Sequence, residues 1–107
     1  VLAVFVYVDT SVIGGCFDAS YQDASRNFFR RCETGWFYPC FSDVTLLELV
    51  DAPGMVQDFA NSRLPNWEFL AMLPGVVELA RQYVNEGAIR PTKLNDAYHV
   101  ACATFYE

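Results

Sequence analysis

The feature that most constrains this chain is an uninterrupted apolar run, Val1 to Val8, that stops at a carboxylate, Asp9. Within it, Ala3-Val-Phe-Val-Tyr-Val8 is β-branched and aromatic, the pattern of a strand covered on both faces rather than one. It reads as a central strand. The run is far short of the ~20 apolar residues that a membrane-spanning helix needs. It also lacks the basic leader and small-residue cleavage site of a secretory signal, so no membrane association is expected. Position 1 is Val rather than Met, so the numbering need not begin where the gene does.

Beyond Asp9, helical and strand patterns alternate. Asp9-Thr10-Ser11 interrupts the apolar run and Gly14-Gly15 permits a tight turn. Tyr21, Ala24, Phe28 and Cys32 then recur at three- and four-residue steps, which predicts an amphipathic helix over 21–32 closed by Gly35. Trp36 to Phe41 reads as a second strand, and Pro39 marks it as an edge or an irregularity. Ser42 is a good N-cap and Asp43 suits the positive end of a helix dipole, so Val44 to Ala52 is expected as an almost wholly apolar helix interrupted by Glu48. Pro53-Gly54 stops it, Met55 to Arg63 follows as a short helix, and Trp67 to Ala71 reads as a third strand. Pro74 to Glu86 carries Val76, Leu79, Ala80, Tyr83 and Val84 on one face and ends at Gly87. A last helix starts near Thr92, with Ala97, Val100, Ala101 and Thr104 as a small-residue face. Strands that alternate with helices and read as continuously apolar predict an α/β domain, a parallel sheet with helices on both faces. At 107 residues and 53% hydrophobic there is material for one core, so residues 1–107 form a single domain.

The net charge of −6 excludes an open electropositive face that grips nucleic acid through counterion release. Arg26, Arg30 and Arg31 form the one basic cluster, which reads as a solvated helix face. Cys16, Cys32, Cys40 and Cys102 include no C-x-x-C pair, and His99 is the only histidine, which argues against a structural zinc site. Their apolar neighbourhoods read as buried free thiols of a reducing cytosol, with a disulfide formally open.

Three carboxylates stand out against this background. Asp9 follows a buried strand, where a lone charge is costly unless paired or bound to a cation. Its bland role would be to cap the next helix, but Thr10 and Ser11 are available for that, which leaves the carboxylate for other work. Glu48 is surrounded by Leu46, Leu47, Leu49 and Val50, so it must point at a specific gap. Asp96 opens the last helix, where a dipole alone would explain an acid. Taken together they suit a hard divalent cation such as Mg²⁺, which takes carboxylate oxygens from converging elements and keeps waters for a phosphate.

Several motifs carry a resemblance. Val6-Tyr-Val-Asp-Thr-Ser-Val-Ile-Gly-Gly15, Phe41-Ser-Asp-Val-Thr-Leu-Leu-Glu-Leu49 with Ala52-Pro53, Leu79-Ala-Arg-Gln-Tyr83 and Asn95-Asp-Ala-Tyr-His-Val-Ala101 resemble the PIN-domain family, in particular its VapC-like toxins. The resemblance implies a three-layer α/β/α fold with a central parallel sheet. It also implies a Mg²⁺- or Mn²⁺-dependent endoribonuclease acting on RNA, commonly a homodimer, held inactive in toxin members by a small antitoxin protein, and cytoplasmic. The family's first acid falls on Asp9, its second on Glu48 and its third on Asp96, all three as metal-holding catalytic residues, with the hydroxyl of Thr10 or Ser11 helping to place the first. Family members continue with a further strand and a fourth acidic or amide position, whereas this sequence ends at Phe105-Tyr106-Glu107. The expectation is therefore a C-terminally truncated member lacking its last strand or strands. The alternative is a catalytically silent PIN-like protein-binding module.

Other motifs are weaker. Asp9-Thr10-Ser11 is also similar to the aspartyl phosphatases of the haloacid dehalogenase type, but the second aspartate two residues on is absent. Gly14-Gly15 matches no phosphate-binding glycine pattern. His99, one turn after Asp96, reads as a packed or partly exposed histidine, and Trp36, Tyr38 and Phe41 read as core or dimer surface.

Overall fold

In a computed structural model that describes residues 4–106, the apolar run forms strand β1 (Val4–Tyr7), while Val1–Ala3 and Glu107 lie outside the described residues. Helix α1 (Thr10–Gly15) follows at once, and then α2 (Gln22–Glu33), β2 (Phe37–Ser42), α3 (Asp43–Leu49), α4 (Gly54–Arg63), β3 (Glu68–Leu70), α5 (Pro74–Asn85) and α6 (Leu94–Phe105). Short 3₁₀ turns at Leu64–Asn66 and Pro91–Lys93 precede β3 and α6. The chain is an α/β domain with a three-stranded parallel sheet in the order β1-β2-β3, flanked by six helices among the described residues. None of those helices is long and apolar enough to cross a membrane.

Period-two alternation along the strands sends neighbouring side chains to opposite faces. Val8 joins one cluster with Ile13, Phe29, Val56 and Ala60 from α1, α2 and α4. Tyr7 joins another with Val76, Ala80, Ala97 and Ala101 from α5 and α6. The sheet is therefore packed on both faces, in keeping with three layers. Full burial of a side chain such as Ile13 contributes roughly 2–3 kcal/mol.

The strand order corrects one expectation. β2, not β1, is central, and β1 lies at the edge among the described residues with Val4 57% and Phe5 67% exposed. An apolar run reports side-chain environment averaged over a strand; here the helices cover only the carboxyl end of β1, where Tyr7 and Val8 sit. Pro39 therefore lies in the central strand. Cys40 O accepts from Val8 N and Trp36 O from Val4 N, so by alternation the missing N–H of Pro39 is on the β3 side, where pairing begins only at Cys40–Glu68.

Further differences concern helix faces. Gly14 and Gly15 form no turn but belong to α1, and a Cβ on Gly15 would meet Ser25 Oγ at 2.3 Å, so this glycine permits close approach of α2. That approach rotates α2: Ser25 and Phe29 are buried, while Tyr21 and Ala24 are exposed. Helix α3 ends three residues sooner than the apolar run, its last carbonyls at Leu49 and Val50 accepting from the Gln57 side-chain amide, and Leu46, Leu47 and Val50 are exposed. Helix α2 terminates at Gly35, at φ +86°, with Trp36 N donating to Arg31 O and Gly35 N to Cys32 O, the paired closure that a left-handed residue permits. The four cysteines are free. Phe41 is core, whereas Trp36 and Tyr38 are exposed.

A carboxylate cluster at the carboxyl end of the sheet

In a parallel sheet, ligands bind beyond the carboxyl ends of the strands, where the chain turns into helices. Asp9 leaves β1 there, Glu48 comes from α3 after β2, and α6 brings Asp96 and His99. Asp9, Glu48 and Asp96 line one open cavity of about 610 Å³, together with Thr10, Ser11 and Gly14.

Asp9 is the N-cap of α1, its Oδ1 accepting from the Ser11 backbone N–H at 3.0 Å. The acid thus takes the capping role itself, which Thr10 and Ser11 were expected to fill. The reason lies in geometry: Asp9 is the last extended residue before the helix, the position from which a side chain reaches the second helical amide. Thr10 is freed for a different partner. Its hydroxyl donates to Glu48 Oε1 at 2.9 Å, so it steadies the second acid rather than the first. The Ser11 hydroxyl has no partner among the described residues, and only its amide holds Asp9.

Glu48 is half-buried and carries a second bond that the sequence reading did not foresee. His99, 4% exposed, places Nε2 at 2.5 Å from the same Oε1. Its Nδ1 lies 2.5 Å from the Tyr7 hydroxyl, which in turn lies 2.7 Å from Ser42 Oγ. Burial pushes the Tyr7 hydroxyl up to about 12, partly offset by its bond to Ser42, so it remains a phenol at neutral pH. Ser42 is itself fixed as the N-cap of α3: its Oγ accepts from Val44 N, and its own N–H donates to Thr45 Oγ1.

The ligand atoms of Asp9, Glu48 and His99 all lie within 4.8 Å of one another. Asp96 is exposed on the cavity wall and stands outside that tight group. Among the described residues no Lys or Arg pairs with Asp9, Glu48 or Asp96, since the ion pairs found are Arg63–Glu33 and His99–Glu48. Two carboxylates held this close without a Lys or Arg between them repel each other, and a divalent cation would remove that cost. The oxygen-rich donor set suits Mg²⁺ or Mn²⁺. One signal for His99 was present in the sequence: it stands three residues after Asp96, on the neighbouring ridge of the same helix. For Tyr7 and Ser42 there was none, because the bonds that join them span 35 and 92 residues.

Comparison of the chain with protein-family models, with curated proteins and with solved structures returns no match.

Proposed function

We propose that this chain is a Mg²⁺- or Mn²⁺-dependent endoribonuclease of the PIN-domain, VapC-like toxin type, a hydrolase of RNA phosphodiesters. The observation that carries the reading is that Asp9, Glu48 and Asp96 reach one open cavity from three separate elements and that, among the described residues, no Lys or Arg pairs with them. Asp9 and Glu48 would hold the cation, with Asp96 on the wall of the same cavity. When bound, such a cation activates water and neutralises charge developing on a phosphodiester. The protein's own groups do the rest: the Ser11 amide holds Asp9, Thr10 and His99 hold Glu48, and the open cavity admits a chain-like substrate. With a net charge of −6, RNA is met through the site rather than through a basic face, so affinity for bulk RNA is weak. A small antitoxin protein, a homodimeric state and a cytoplasmic location belong to the same proposal.

A separate observation favours a second reading, a catalytically silent PIN-like protein-binding module. The sheet face bearing Phe5 and Tyr7 forms a second cavity of about 570 Å³ with Leu70, Ala103 and Tyr106, and Phe5 is mostly exposed in it. Cleavage of a mixed RNA by the purified chain with Mg²⁺ or Mn²⁺, beside EDTA and Asp9→Asn controls, separates the two. Metal-dependent cutting lost in both controls supports the nuclease. A folded protein that never cuts supports the silent module.

A further inference from the structure

We infer that His99 is a positioning residue that selects which oxygen of Glu48 is left for a cation. This inference rests on the metal-dependent reading above and deepens it.

Two independent donors, the Thr10 hydroxyl and His99 Nε2, converge on Glu48 Oε1. Oε2 has no protein partner among the described residues. A carboxylate only accepts, so Nε2 carries the proton in its bond to Oε1. In the His99 tautomer with its one proton on Nε2, the remaining hydrogens run one way: Tyr7 donates to Nδ1 and accepts from Ser42, whose Oγ accepts from the Val44 amide. The two hydroxyls, and the imidazole taken as one group, each accept once and donate once, from the backbone of α3 to the cavity. The relay joins β1, β2, α3 and α6, so it ties the carboxylate's orientation to the sheet rather than to one flexible helix side chain. Glu48 has three rotatable bonds before its carboxyl group, and without the two donors its carboxyl plane is free to turn. Both imidazole nitrogens are already engaged, which leaves His99 no lone pair for direct ligation. Partners beyond the ligands that fix a ligating carboxylate typically change metal affinity 10–100-fold.

The test uses the full chain and Mn²⁺ alone as the probe, with affinity read by calorimetry and by electron paramagnetic resonance, and folding read by circular dichroism. Wild type is expected to bind Mn²⁺ and Asp9→Asn to lose it. His99→Ala should weaken binding by roughly 10-fold or more while the chain stays folded. His99→Gln supplies an N–H at the Nε2 position and should restore most of the loss. Tyr7→Phe removes the donor to Nδ1 and should weaken binding a few-fold, which keeps the inference testable even if His99→Ala unfolds. Pulsed spectra of bound Mn²⁺ should show no directly coordinated nitrogen. Mn²⁺ affinity unchanged in His99→Ala, in a protein whose Asp9→Asn variant has lost it, overturns this inference alone. A directly coordinated nitrogen that disappears in His99→Gln also overturns it, since His99 would then be a ligand. Wild type that binds no Mn²⁺ overturns the metal reading itself, and the inference with it.

Discussion

Asp9→Asn separates the structural duty of this residue from its proposed chemical one, because the structure gives Asp9 both. As N-cap of α1, its Oδ1 accepts from Ser11 N at 3.0 Å, and an asparagine oxygen in the same place makes the same bond. Asn and Asp cap about equally well, whereas loss of the cap altogether, as in Asp9→Ala, costs about 1 kcal/mol. Removing the charge forfeits a helix-dipole contribution of about 0.3–1 kcal/mol. It also relieves repulsion from Glu48, whose ligand oxygen lies within 4.8 Å. At that separation two unit charges repel by about 1 kcal/mol at the dielectric of water and about 3 kcal/mol at an effective value of about 20. Both acids are half-buried but open to the cavity, so the repulsion relieved lies between these two figures and at least offsets the lost dipole contribution. The metal-free variant should therefore be about as stable as wild type or more so. Mn²⁺ divides them: at about 100 times its dissociation constant, a ligand bound only by the folded state adds about 2.7 kcal/mol. Urea or thermal unfolding with and without Mn²⁺ should show that gain in wild type and its absence in Asp9→Asn. Asp9→Asn that unfolds several kcal/mol more easily without metal would make Asp9 a structural residue. An equal Mn²⁺ gain in both proteins would remove it from the metal site.

Other expectations follow from local geometry. Gly35→Ala places a Cβ at φ +86° with no steric neighbour within 4 Å, so backbone strain alone should lower stability by about 1–2 kcal/mol in urea melts. Gly54→Ala, in the first turn of α4, at negative φ and with open space around it, should instead raise stability by up to about 1 kcal/mol in urea melts. Alkaline stability has a definite sign: burial pushes Tyr7 up to about 12 and the Cys32 and Cys102 thiols up to about 11, so the unfolded chain releases these protons first. Stability held below about pH 9 should therefore fall as pH rises toward 12, and Tyr7→Phe should flatten the upper part of that fall in pH-dependent denaturation.

What the sequence made legible was local. The end of β1 at a carboxylate, the glycine closures at Gly35 and Gly87 and the Ser42 cap each depend on residues within one turn, and each appears as read. The rank of a strand within its sheet does not depend on local residues. β1 is the most continuously apolar strand yet stands at the edge, because its rank follows from which strands pair with it and its cover from where α5 and α6 end. Helix rotation failed for a similar reason: the contact between Gly15 and Ser25 turns α2, and nothing in the spacing of Tyr21, Ala24, Phe28 and Cys32 encodes a partner ten residues upstream.

The candidate site was half legible on the same principle, and α6 shows why. With 3.6 residues per turn, Ala97 and Ala101 fall on one side of this helix, His99 on nearly the opposite one, and Cys102, which joins the alanines' cluster, between them. All four are buried. The alanines pack with Val76 and Ala80 of α5, while His99 reaches Tyr7 and Glu48 at the end of the sheet. A helix wedged between two neighbours has two buried faces, and a search for one apolar stripe finds only the first; it recruited Val100 and Thr104, which are exposed, in place of the second. The wedge is what carries Asp96 to the rim of the cavity and His99 behind it. The two alanines that let α6 approach α5 therefore control the site without touching it. A larger side chain at Ala97 or Ala101, each fully buried, would push α6 outward and should loosen the His99–Glu48 bond before it unfolds the chain.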